Sequence, residues 1–115
     1  MRVLVCGDRN WSGIDPIKRE LMLAAPSVVI EGEARGADTL ARKAAEELGI
    51  PVEPYPANWT KYGRAAGVLR NQQMLDEGKP DLVLAFHPDI SKSKGTADMV
   101  RRAKKAGIRT YVFAA

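Results

Sequence analysis

The sequence predicts a single α/β domain, a Rossmann-like three-layer sandwich of about five parallel strands in the order 3-2-1-4-5. Three observations carry that prediction. Short apolar runs rich in β-branched residues alternate with segments of helical period along the whole chain. Alternation of that kind implies right-handed βαβ crossovers and a mainly parallel sheet. The length, 115 residues, suits one core, and 45% apolar with 28% charged residues is an ordinary globular composition.

The elements follow in order. Arg2 to Gly7 is a short apolar run closed by glycine, a buried strand. Ile14 to Ala25 reads as a helix, with Asp15 expected as its N-cap and Pro16 as its first helical residue. Ser27 to Ile30 is the second strand. Ala37, Leu40, Ala41, Ala44 and Leu48 recur at helical spacing, and Gly49 stops that helix. Val52 to Tyr55 is a weak strand flanked by Pro51 and Pro56 and interrupted by Pro54, which places it near a sheet edge. Gly63 to Glu77 reads as one long helix, Asp81 to Phe86 as a strand, Thr96 to Ala106 as a helix and Arg109 to Phe113 as the last strand. Two unpatterned stretches, Tyr55 to Tyr62 and His87 to Ser93, follow strands, at the end where open α/β sheets bind ligands.

No stretch is apolar and long enough to span a bilayer, and the apolar run beginning beside Met1 leaves no room for a signal peptide. The single Cys6 forms no internal disulfide, and no Cys/His set has metal-ligand spacing. A cytoplasmic protein with neither membrane attachment nor metal is the expectation. Net charge is +4, unevenly distributed: residues 1–60 carry 7 Lys and Arg against 9 Asp and Glu, and residues 61–115 carry 11 against 5. Arg101, Arg102, Lys104 and Lys105 bunch near the end, either a solvated helix face or a surface for an anionic partner.

Chemistry points to three similar strand-to-helix junctions: Gly7-Asp8-Arg9-Asn10, Gly32-Glu33-Ala34-Arg35-Gly36-Ala37-Asp38, and Lys92-Ser93-Lys94-Gly95-Thr96. Glycine admits close backbone approach, and the following helix offers free N–H groups and a partial positive charge, together an anion site. In a parallel sheet these loops leave the same edge and can converge on one ligand. Asp38 either answers the dipole of its own helix or contacts that ligand, and Thr96 either caps the last helix or helps hold a phosphate. Arg35, set among small loop residues, has less structural purpose. Arg70 and Asn71 lie amid apolar helix residues and either reach the crevice or stay on the surface. Trp11, Trp59 and Tyr62 fall near the same edge, as packing residues or as a stacking surface for a base. His87 stands without Ser or Asp partners, and Cys6 reads as an inert core residue.

Gly32 to Asp38, followed by Thr39, Leu40 and Ala41, resembles the glycine-arginine-glycine loop of the SLOG superfamily, which joins the DprA (Smf) proteins to the LOG, or lysine decarboxylase-like, proteins. The resemblance is strongest to its YspA-like (DUF2493) branch of bacterial and phage proteins. The pattern there is a strand ending in Cys-Gly, then GxARGAD, AGxxRNxxM and GTADMVRRA, matched here by Cys6 and Gly7, Gly32 to Asp38, Ala66 to Met74, and Gly95 to Ala103. The resemblance implies a Rossmannoid sheet and a nucleotide-derived ligand, with no required cofactor beyond a bound nucleotide or phosphate. Gly7, Asp8, Arg9, Gly32, Ala34, Arg35, Gly36, Asp38, Arg70, Asn71, Gly95 and Thr96 would line the site.

LOG enzymes hydrolyse the N-glycosidic bond of nucleoside monophosphates through a helix arginine and a glutamate following Gly-Thr. In this chain that glutamate's position is Met99, which can neither handle a proton nor stabilise an oxocarbenium ion. Binding, as in a nucleotide sensor, is therefore the expected function. An N-glycosidase on nucleoside monophosphates or NAD-like substrates, acting through Arg70 and Asp98 (or Asp38), is the first alternative, and DprA-like single-stranded DNA binding through the basic half is the second. The expected partner is a nucleotide-like small molecule, and association through helices, as in LOG proteins, would give a homodimer.

Overall fold

Along the first strand, β1 (Arg2–Gly7), Val3 and Val5 face one side of the sheet while Leu4 and Cys6 face the other, and all four are buried. A strand covered on both faces belongs at the centre of a parallel sheet with helices on each side. The computed structural model, which describes residues 1–115, has that arrangement. With β2 (Val28–Glu31), β3 (Val52–Pro54), β4 (Leu82–Phe86) and β5 (Arg109–Phe113), β1 forms a parallel sheet ordered β3-β2-β1-β4-β5. Class and strand order are those predicted.

Two helices, α1 (Ile14–Ala24) and α2 (Ala37–Leu48), cover one face, where Ile17, Leu21, Ala41, Ala44 and Ala45 meet Val3, Val5, Val29 and Phe86. The small α2 residues let that helix lie close to the strands. On the opposite face, α4 (Ala66–Asp76) and α5 (Gly95–Lys105) bring Met74, Leu75, Met99, Val100 and Ala103 against Leu4, Ile30, Val83 and Ala85. The chain changes faces on its way from β3 to β4, so the strand order reverses beside β1. In open α/β sheets, ligands bind beside such a reversal, at the carboxyl edge of the strands.

Three local readings are corrected. Gly13, not Asp15, precedes the first helical residue of α1, so Asp15 lies within the first turn, where its charge suits the helix dipole. The expected long helix Gly63–Glu77 is broken into a short helix, α3 (Trp59–Tyr62), a 3-10 turn at Gly63–Ala65, and α4. Gly63, at φ +55°, turns the chain between them. The last helix begins at Gly95 rather than at Thr96.

Candidate functional site

The first two glycine loops are locked together by close backbone approach. At Gly36, φ is +76°, and an added Cβ would lie 2.3 Å from the Asp8 carbonyl oxygen and 2.4 Å from that of Arg9. The Ala37 amide donates to the Asp8 carbonyl at 3.1 Å. A Cβ at Gly7 would likewise strike the Phe86 carbonyl, so β1 and β4 run together at their carboxyl ends. Only glycine fits either position without displacing backbone.

Helix α4 ties the remaining pieces to this platform. Arg70 donates through Nη1 to the Gly32 carbonyl and through Nε to Asn71 Oδ1, while its Nη2 has no hydrogen-bond partner in the chain. An added Cβ at Gly32 would lie 2.5–2.9 Å from the Arg70 side chain, so this glycine is what lets the guanidinium rest on the loop. Asn71 Nδ2 donates to the Gly95 carbonyl at 3.2 Å and to Asp98 Oδ2 at 3.1 Å. One helix turn thus links the loop after β2 to the start of α5. Arg70 and Asn71 are thus turned onto the loop after β2 and the start of α5 rather than standing on a free helix surface.

The amides of the second loop serve a purpose the sequence did not suggest. Asp38, 5% exposed, accepts the Gly32 and Ala34 amides through Oδ2, at 3.1 and 3.3 Å. Glu31, fully buried at the end of β2, accepts the Glu33 amide at 2.7 Å through Oε2 and leaves Oε1 without a partner. Two carboxylates thereby hold three consecutive amides, and Glu33 is turned to φ +56°. Burial raises the Asp38 carboxyl to about 6, against the opposing pull of the Arg70 charge and its two amide hydrogen bonds. Burial also raises Glu31, to about 7; its Glu33 amide bond and the Arg42 charge oppose this, and the Asp38 and Glu33 carboxylates reinforce it. An anion seated directly on these amides would displace or oppose two acids, so any phosphate belongs elsewhere on the edge.

At the third junction, Ser93 caps α5: its hydroxyl accepts the Thr96 and Ala97 amides at 3.0 and 3.1 Å. Thr96 is buried and is not the cap, and its amide is already occupied. Asp98 is buried with both oxygens engaged, by Asn71, by Arg101 and by Arg102, which continues to Gln72 Oε1. No ion pair joins Asp98 to Arg70. The expected acid of an Arg70–Asp98 pair is therefore an anchor for its own helix, and two of the four clustered basic residues share its single negative charge.

Arg9 and Arg35 are exposed on the interlocked loops and make no ion pair. Trp59 and Tyr62 are also exposed, at 51% and 45%, whereas Trp11 packs edge-on against Phe86. Cys6 is buried and its thiol is pushed up by burial, which agrees with an inert core position. No group of three or more His, Cys, Asp and Glu side chains has the arrangement of a metal site, and no helix is long and apolar enough to cross a membrane. Glu31 and Ser93 were missed in the sequence. The period-2 pattern that puts Val29 in the core puts Glu31 on the same face two residues later, a signal that was available.

Comparison with known proteins adds three findings. The description of the YspA, cpYpsA-related SLOG family matches residues 1–62, from β1 through α3. The "Gene 61 protein" of Mycobacterium phage D29 is 38% identical over 122 residues, covering 97% of this chain and 95% of that protein. In fold, the chain is similar to DNA processing protein A (DprA) from Streptococcus pneumoniae, with a TM-score of 0.76 at 18% identity. That likeness covers 96% of this chain and 49% of DprA, so the chain spans about half of its structural neighbour.

Proposed function

The chain belongs to the YspA, cpYpsA-related SLOG family, and on that premise we propose that it binds a nucleotide or nucleotide-derived ligand at the carboxyl edge of its sheet. The observation that carries this reading is Arg70, a cation held on loop backbone at the strand-order reversal with Nη2 still free to donate. A fixed guanidinium with unused donors is a strong partner for a phosphate or carboxylate. Arg9 and Arg35, without acidic partners, add positive charge on the neighbouring loops, and Gly7, Asp8, Gly32, Ala34, Gly36, Gly95 and Thr96 shape the surface between them. Asp38 and Asn71 act by positioning: Asp38 holds the loop amides, and Asn71 holds Arg70 against the start of α5.

The two alternative activities have less support. N-glycosidase chemistry needs an acid free to work on the substrate, and Asp98 is fully engaged. Single-stranded DNA binding would draw on the α5 basic cluster, where Arg101 and Arg102 already answer Asp98.

A thermal-shift screen against nucleoside mono- and diphosphates, NAD, ADP-ribose and short DNA tests the proposal. A nucleotide at a hundred times its dissociation constant should add about 2.7 kcal/mol of stability. Arg70→Ala should weaken that ligand by about ten- to a hundredfold, the range expected for a hydrogen bond to a charged group. Stabilisation by DNA alone, or equal affinity in wild type and Arg70→Ala, would refute the assignment.

A further inference from the structure

Arg70 is flanked by two glycines that differ in kind. Gly32 is demanded by packing, because a Cβ there would collide with the Arg70 side chain. Gly67, in the first turn of α4, has no such demand. Its φ is not positive, and an added Cβ would meet only Trp59 Cη2 at 3.4 Å and Arg70 Nη2 at 3.9 Å, ordinary contact distances. Glycine in a helix is less stable than alanine, so an uncrowded one with helical backbone needs another reason.

The surroundings supply it. The Cβ position of Gly67 is flanked by the indole of Trp59, at 3.4 Å, and the guanidinium of Arg70, at 3.9 Å. Trp59 is half-exposed, and Asn58 fixes its short helix by accepting the Lys61 amide at 3.0 Å. Tyr62 stands exposed at the other end of that helix, with Lys61 Nζ over its ring. Aromatic faces and arginine planes both favour flat π-systems, and a missing Cβ lets such a ring reach the helix backbone.

We infer that Trp59, Gly67 and Arg70 form a slot for a planar heteroaromatic ring, the base of the nucleotide proposed above. The inference rests on that reading but can fail separately from it. The base lies over Gly67 beside the Trp59 ring, while the free Nη2 of Arg70 faces the ligand's anionic part.

The test measures binding of AMP and of ribose 5-phosphate, which lacks the base, to the full chain and three variants. Wild type should bind AMP at least tenfold more tightly than ribose 5-phosphate, and AMP alone should quench Trp59 fluorescence. Gly67→Ala should raise the melting temperature by a few degrees yet weaken AMP at least tenfold, effects of opposite sign that a purely structural glycine would not give. Trp59→Ala should reduce AMP affinity to that of ribose 5-phosphate, Trp59→Phe should recover most of it, and none of the three should alter ribose 5-phosphate binding. If Gly67→Ala and Trp59→Ala bind AMP as wild type does, or if wild type holds both ligands equally, the slot is overturned while nucleotide binding stands. If wild type binds neither ligand, the nucleotide reading fails and the slot with it.

Discussion

The loop after β2 and the rim formed by α3 and the first turn of α4 meet at the Arg70 side chain, yet they are built on opposite terms. In the loop, residues 32–38, three amides end on two buried carboxylates, Gly36 is wedged against neighbouring carbonyls, and Gly32 is filled by Arg70. In the rim, residues 59–67, aromatic rings are half in solvent, Gly67 is uncrowded, and the polar contacts are local. A glycine-rich stretch can thus be conformationally committed to its own chain, or it can leave room for something else. Composition does not distinguish them; what a Cβ would meet does.

The hardest attempt to break the contrast is Gly36→Ala. At φ +76° and ψ −124° Gly36 lies outside the left-handed helical region, in a conformation that costs a residue with a Cβ about 1–3 kcal/mol, and overpacking against carbonyls adds about 1–3 kcal/mol. We expect a loss of about 3 kcal/mol by chemical denaturation, with the loops after β1 and β2 pushed apart. A loss below about 1 kcal/mol would mean the loop is as adaptable as the rim. Next is Asp98→Ala, which strands Arg102, Arg101 and the Asn71 amide around an empty position. Removing one member of a buried charged group costs about 3–5 kcal/mol. Because Arg101 is largely exposed and regains water, we expect about 2 kcal/mol in urea.

The architecture was readable because its causes are local. β-branched runs, helical periodicity and the prolines around β3 set the elements, and the edge position and strand order followed. The loops were readable only as glycine-bearing junctions, and there the sequence misled in a specific way. It suggested free amides awaiting an anion, whereas Asp38, Glu31 and Ser93 already take them. Whether a side chain six residues away folds back onto a loop is a tertiary matter that spacing does not report. Arg70 and Asn71 were recognisable as polar residues out of place, but their partners lie 38 and 24 residues distant.

The two carboxylates give the loop a pH signature of its own. Glu31 is raised from 4.5 to about 7 and Asp38 from 3.8 to about 6, so the folded state holds these protons more tightly than the unfolded chain. Stability from both groups is therefore greatest below their unfolded values and declines as pH rises, until each folded value has been passed. Glu31→Gln keeps size and removes the titration. It should be more stable than wild type at pH 8, by on the order of 1–2 kcal/mol, with the advantage gone at pH 4. Denaturation curves of both proteins at the two pH values decide this. An unchanged difference would mean Glu31 is accessible to water and the loop less closed than its geometry implies.

The smallest expected effect sharpens the comparison from the other side. Trp59 and Tyr62 are large residues, and truncating a buried aromatic ordinarily costs about 3–5 kcal/mol. Half-exposed on a four-residue helix and contributing to neither core cluster, they have little of that burial to lose. Trp59→Ala and Tyr62→Ala should each change unfolding free energy by no more than about 0.5 kcal/mol, the range of surface substitutions. A cost above about 2 kcal/mol for either would make the rim a packing element like the loop. A cost near zero leaves two exposed aromatic rings with no role in folding, Trp59 beside the same Gly67 as the fixed Arg70, and their role must then be sought in what this edge binds.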